Sequence, residues 1–138
     1  PAADPTAEPE LSLYIHEDHW KGPIRLRRHT LRMDGFVSLH ARQKPGEVVT
    51  KFFTFAGRSL TFNFATSAAG LIRVELQDRD GRVLPGFSLA ECDELFGDTL
   101  SRVVTWRDQA DVSRLAGQTV RLRMVLSDAD LYSLKFEE

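Results

Sequence analysis

Four segments of this chain alternate apolar and polar residues with a period of two. Leu60, Phe62 and Phe64 are interleaved with Thr61, Asn63 and Ala65, and Ile72, Val74 and Leu76 with Arg73, Glu75 and Gln77. Val120, Leu122, Met124 and Leu126 alternate with Arg121, Arg123 and Ser127 nearby, and Tyr132, Leu134 and Phe136 with Ser133, Lys135 and Glu137. Successive side chains of an extended strand point to opposite faces, so each segment offers one face to a core and one to water. A helix cannot use that pattern, because its apolar positions recur every three to four residues. Weaker strand signals cover 11–16, 23–33, 36–41, 47–55 and 102–106. Within 23–33 the apolar parity changes from Ile24 and Leu26 to Leu31 and Met33, which predicts a bulge near Arg27–Arg28.

Turn chemistry punctuates these runs. Asp34-Gly35, Pro45-Gly46, Ala56-Gly57, Asp80-Gly81 and Asp128-Ala129-Asp130 are read as tight connections. Short connections favour antiparallel pairing, since a parallel crossover needs about a dozen residues. Roughly nine strands at a spacing of about 8–12 residues predict an all-β, antiparallel two-sheet β-sandwich of jelly-roll-like character. Two segments depart from the alternation. Ser88 and Glu91 have capping-box spacing ahead of Cys92, with Gly97 as a stop, and Asp111 stands as a cap before Gly117. Each predicts a short helical turn. Residues 1–10 hold three prolines, three alanines and three acids without a large apolar side chain, and read as a linker. A single sandwich domain is expected over 11–138. The chain begins at Pro1 without an initiator Met or a signal-type apolar core, which predicts a processed or excised piece of a longer protein.

Composition removes several function classes. With 18 Lys+Arg against 20 Asp+Glu, the formal charge is −2, so no global basic field points to nucleic acid. The local run Arg25, Arg27, Arg28, His29 and Arg32 reads as the outer face of a strand paired with acids on its neighbours. No apolar run approaches the ~18 residues of a membrane span. Cys92 is the only cysteine, which excludes an intrachain disulfide framework and a cysteine-paired zinc site.

His16-Glu17-Asp18-His19 is the densest polar cluster, but residues three apart on a strand face opposite ways, and it reads as a polar turn. Asp78-Arg79-Asp80-Gly81 opens like a calcium loop without the closing Glu about twelve residues on, and reads as a hairpin turn. The loop acids Asp93, Glu94, Asp98, Asp128 and Asp130 are the candidate ligands of one structural Ca²⁺, the only cofactor this pattern leaves open. No nucleophile elbow, phosphate loop or oriented carboxylate pair is present, so no catalytic residue is assigned and the chain is read as not an enzyme. A small sandwich-borne lyase would need an acid/base cluster in one groove, and none is found.

The aromatic residues carry the binding reading. Sugar rings stack on Trp and Tyr while polar groups bond their hydroxyls. Trp20, Trp106, Tyr14 and Tyr132 are the candidate platforms, with Arg107 beside Trp106 as a polar partner. Two exposed, coplanar indoles would favour glycan binding; two buried indoles would favour a purely structural domain.

Several phrases of this chain resemble a known family. They are the run from Leu26-Arg27-Arg28-His29-Thr30-Leu31-Arg32-Met33-Asp34-Gly35 through Phe36-Val37-Ser38, then Phe64-Ala65-Thr66-Ser67-Ala68-Ala69-Gly70, Pro85-Gly86-Phe87-Ser88-Leu89, and Asp128-Ala129-Asp130-Leu131-Tyr132-Ser133. Together they are similar to the C-terminal β-sandwich module of bacterial, planctomycete-type proteins that resemble family-32 glycoside hydrolases, in which the sandwich follows a five-bladed propeller. The resemblance runs from about Leu11 to Phe136. It implies an accessory module of a carbohydrate-active enzyme, with a glycan and the catalytic domain of the parent hydrolase as partners, and a secreted or periplasmic location. It transfers no catalytic residue, because the propeller is not part of this chain. It also implies that 11–33 packs on that propeller, leaving apolar surface exposed without it. The first expectation is thus a non-catalytic carbohydrate-binding module, and the alternative a sandwich that braces a catalytic domain without touching glycan.

Overall fold

The structure, a computed structural model, describes residues 8–17 and 22–138. The chain is all-β with antiparallel pairing throughout its described strands, as the alternation predicts. Among the described residues the one helical element is the three-residue 3-10 turn Ser113–Leu115. Where the sequence predicts one domain over 11–138, the chain divides into two compact units, Pro1–Val37 and Ser38–Glu138.

The smaller unit is a hairpin of β1 (Glu10–Glu17) and β2 (Arg25–Arg32). Glu10 therefore belongs to a strand, not to the predicted linker. The pairing runs without interruption from Glu10 opposite Arg32 to Glu17 opposite Arg25. The expected bulge at Arg27–Arg28 is absent. Its premise was a single core face, and β2 has none: from Arg25 to Thr30 every residue is exposed. The register sets Leu11, Leu13, Ile15 and Leu31 on one face, and Tyr14 and Leu26 on the other. Charge complementarity holds the register instead of burial. Arg27 pairs with Glu17 at 3.1 Å, Arg28 with Glu10, and the Arg28 Nε–H donates to Ser12 Oγ at 3.0 Å. The Asp34-Gly35 turn forms as predicted, with Asp34 at φ 57° and the Gly35 N–H donating to Arg32 O.

The larger unit is a five-stranded antiparallel sheet. Its long central strands are β5 (Ser59–Gln77) and β7 (Arg121–Glu137). β6 (Asp98–Val103) flanks β5, while β3 (Leu39–Ala41) and β4 (Gly46–Val49) pair with successive stretches of β7. The predicted connection at Asp128–Asp130 and the gap between the alternating segments 60–65 and 72–77 prove to be one bulge. Thr66 still faces Ala129 and Leu71 faces Ser127, so Ser67, Ala68, Ala69 and Gly70 stand against Asp128 alone. Asp128 takes φ 45° there. Four expected strands thereby fuse into two, each continuous through that irregularity.

Leu60, Phe62, Phe64, Ile72, Val74 and Leu76 of β5 and Leu122, Met124 and Leu126 of β7 are at most 1% exposed. Phe87, Cys92, Leu95, Val104, Trp106, Val112 and Leu115, all from 87–115, join the same core cluster. The other parity of β5 is covered too: Thr61, Asn63, Glu75 and Gln77 are buried. Buried polar groups need partners. The Glu75 carboxylate accepts from Gln77 Nε2 at 2.7 Å, Arg123 Nη1 at 3.1 Å and the Leu89 N–H at 3.3 Å. Arg123 also donates to Glu47 at 2.7 Å, and the two carboxylates hold its guanidinium charged beyond its usual range, Glu47 foremost.

Candidate functional site

A cleft of about 350 Å³ opens in the larger unit, lined by Gly86, Phe87, Glu91, Trp106, Arg107, Gln109, Asp111 and Arg114. Three local features build it. The first is the predicted capping box. The Ser88 N–H donates to Glu91 Oε2 and the Glu91 N–H to Ser88 Oγ, each at 3.3 Å, while Ser88 Oγ–H donates to Glu91 Oε2 at 2.8 Å. The box closes a single turn rather than a helix, because Cys92 at once enters a β-bridge with Trp106. The second is the tight turn Trp106-Arg107-Asp108-Gln109, with Trp106 and Gln109 exchanging backbone hydrogen bonds of 2.9 and 3.0 Å. Its central residues Arg107 and Asp108 both have positive φ, 50° and 62°. Such a turn ordinarily carries Asn-Gly, and an arginine there is strained. The segment 91–93 holds it: the Arg107 N–H donates to Glu91 O and the Asp108 N–H to Asp93 Oδ2, both at 2.9 Å.

The third feature is Arg114, the middle residue of the 3-10 turn. Its guanidinium lies over the Phe87 ring, 4.6 Å from the centroid, and donates to Pro85 O. The N-cap of that turn is Val112, not the expected Asp111, which sits one residue earlier and accepts the Ser113 N–H at 2.8 Å in an Asx-type turn. Both acids of the cleft have a cationic partner, one within it and one outside it. Arg107 pairs with Glu91 at 3.2 Å and Arg58 with Asp111 at 3.8 Å. Hydrogen bonds from Ser88 chiefly, then the charge of Arg107, hold the Glu91 carboxyl below the usual range. Hydrogen bonds from Ser113 do the same for Asp111.

The predicted sugar-stacking residues do not converge. Trp106 and Arg107 do share the cleft, but Trp106 is 2% exposed, its indole edge-on to Phe87 at 5.0 Å and its Nε1–H donating to Val74 O. It is floor, not platform, because that indole completes the hydrogen bonding of a buried strand. Tyr14 is 62% exposed on β1, opposite Arg28. Tyr132 is half-buried on β7 and does not line the cleft. Trp20 lies outside the described residues, as do Asp18 and His19 of the polar cluster; Glu17 pairs with Arg27.

The five candidate calcium ligands are likewise separate. Asp93 accepts from Thr105 Oγ1 at 2.6 Å and from the Asp108 N–H, Glu94 pairs with Arg73 at 2.6 Å, and Asp98 opens β6. Asp128 sits in the bulge, and Asp130 accepts from Ser38 Oγ at 2.6 Å and meets His40 Nδ1 at 3.0 Å. Among the described residues no three His, Cys, Asp or Glu side chains gather as a metal site needs. These residues therefore do not gather into the Ca²⁺ site that the sequence left open: Asp93, Glu94 and Asp130 each meet a local hydroxyl, cation or backbone N–H instead. Asp78 behaves similarly, its Oδ1 accepting the Asp80 and Arg82 N–H groups in a plain hairpin turn.

Phe87, Glu91, Gln109, Asp111 and Arg114 were not among the predicted site residues. Phe87 and Glu91 were visible only as part of the capping-box segment, and Asp111 and Arg114 only as part of the short turn read at 111–117; Arg107-Asp108 lacks the Asn-Gly signature of the turn it makes, so nothing in one dimension marks Gln109 or says that these segments meet. Among the described residues no helix is long and apolar enough to cross a membrane. No family model, curated protein or solved structure matches the chain.

Proposed function

We propose that this chain is a non-catalytic accessory β-sandwich that braces a catalytic partner, with the β1–β2 hairpin as the surface it offers. The observation that carries this reading is the hairpin's apolar exposure on both faces: Leu13 is 45% exposed, Ile15 48%, Leu26 62% and Tyr14 62%. An isolated two-stranded hairpin is marginal in water, and exposed apolar strands call for a covering surface. The family resemblance supplies the class of partner, a glycoside hydrolase propeller. The burial of Trp106 points the same way, since it removes one of the two indoles that a glycan platform would use.

The test is made in the full-length protein that carries this domain. Leu13→Ser combined with Ile15→Thr is expected to lower the Tm of the catalytic portion and loosen its protection from protease. An unchanged Tm and an unchanged cleavage pattern would reject the bracing role.

A second reading, carbohydrate binding, is favoured by a different observation. The cleft combines donors, acceptors and aromatic surface in one concavity, and it includes Arg107. Titration of the chain with neutral and acidic glycans checks it, and flat titrations across such a panel would leave bracing alone.

A further inference from the structure

We infer that the cleft at Phe87, Glu91, Arg107, Gln109 and Arg114 is a site for an uncharged, polyhydroxylated ligand, the end of a neutral oligosaccharide, and that the strained Arg107 turn is kept for it. The inference deepens the carbohydrate-binding reading and rests on it; the bracing role stands or falls separately.

Three observations lead there. The first is charge. Arg107, Arg114, Glu91 and Asp111 line the same opening, and the Arg107–Glu91 pair spans 3.2 Å. A ligand of either net charge meets like charge on part of the wall. A hydroxyl group, which both donates and accepts, suits guanidinium, amide and carboxylate alike. The second is shape. The volume of about 350 Å³ falls at the small end of the roughly 300–1,000 Å³ range of ligand sites, with Phe87 and Trp106 as apolar floor. Trp106 Nε1–H is committed to Val74 O, so specificity must come from the exposed rim of Arg107, Gln109 and Arg114.

The third is strain. Arg107 and Asp108 occupy left-handed backbone in succession, and glycine would sit at Arg107 more easily. Packing does not demand the arginine, because its side chain is 77% exposed. A strained, exposed residue whose side chain the core does not use is the pattern expected when the side chain serves a ligand.

The experiment records amide and indole NMR shifts of the whole chain with neutral gluco-, manno-, xylo- and fructo-oligosaccharides, and with oligogalacturonate as the charged comparator. The expected result is saturable shifts at the Trp106 indole N–H, the Arg107 amide and the Gln109 side-chain amide with at least one neutral series. Arg107→Gly and Gln109→Ala should each weaken that binding about tenfold, the loss of one or two hydrogen bonds to hydroxyls, while Arg107→Gly keeps or raises Tm. Arg107→Gly that binds as well as the parent sequence overturns the proposal. So does a response to oligogalacturonate alone, or no shift with any glycan at millimolar concentration. Shifts gathered at Tyr14 with the cleft unmoved would sink this site while sparing glycan binding itself.

Discussion

The indole Nε1–H of Trp106 donates to the carbonyl oxygen of Val74 at 3.0 Å, and Cys92 Sγ accepts the N–H of the same Val74 at 3.3 Å. On this edge of β5, backbone bonds pair Ile72 with Leu95 and Leu76 with Phe87 and Leu84. Between them Val74 has no backbone partner, and two side chains from the bridged pair Cys92 and Trp106 supply what a strand would have supplied. The cleft's floor and the ladder of the central strand are thus one construction.

Trp106→Phe should therefore act on stability. The ring is kept, but the Val74 carbonyl is left buried without a donor, and some volume is lost. The expected cost is about 2–4 kcal/mol, read as a fall in denaturant midpoint with unchanged slope. A Trp106 that served only as a sugar platform would give unchanged stability on this substitution, so the same measurement separates floor from platform.

Cys92 is 4% exposed, and burial pushes its thiol up to about 11 from an ordinary 9.0. The native state thus favours the neutral thiol. Its contribution is fully present below about pH 9 and is lost as pH rises from there through about 11. Iodoacetamide at pH 8 should leave the folded chain unmodified and label it fully in denaturant. Labelling of native protein at the denatured rate would contradict the buried thiol. Cys92→Ala should flatten the alkaline loss of stability while costing stability at neutral pH, because the Val74 N–H loses its acceptor.

How much of this was legible beforehand follows from what one-dimensional pattern encodes. The alternation around Leu60, Ile72, Val120 and Tyr132 marked β5 and β7 correctly, because period two survives any arrangement of the strands. It could not show that 65–70 and Asp128 are a bulge, since a turn and a bulge draw on the same small and acidic residues. The Ser88–Glu91 box was readable because its bonds are local. The fate of Trp106 was not, because its partner Val74 is far away in sequence and its burial depends on loops closing over β5. The loop acids misled for a related reason. A carboxylate in a loop suits calcium, but it suits backbone N–H groups equally well, and Asp78, Asp93 and Asp111 each bond at least one.

Asp93 organises the wall behind the cleft. Its carboxyl is held below the usual range, first by the Thr105 hydroxyl and then by the Asp108 N–H. A lowered carboxyl contributes stability that is present above the unfolded value of about 3.9 and disappears as pH falls through the lower native value. Glu91 and Asp111, lowered for like reasons, add in the same direction. Thermal melts between pH 7 and pH 2 should show Tm dropping below about pH 4. Asp93→Asn should begin lower at pH 7 and decline less steeply. Parallel curves for the two proteins would show that Asp93 is not part of the acid response.

Gly70 gives the sharpest test of the bulge. It lies outside the left-handed φ region, so that use of glycine does not explain it. The reason is space: a Cβ built there runs into the backbone oxygen of Asp128 and lies 2.9 Å from Thr66 Cβ and 3.0 Å from Ser127 O. Two of these three atoms are main chain, which cannot rotate away. Gly70→Ala should cost about 1–3 kcal/mol, as overpacking does, and should raise amide exchange at 66–71 and 127–130 before the rest of the sheet. Gly22→Ala is the control. Nothing lies within 4 Å of its Cβ position, so its stability should stay within about 0.5 kcal/mol of the parent chain. Equal effects of the two substitutions would mean that β5 and β7 do not meet at Gly70 and Asp128, and that the two long strands are not continuous through that point.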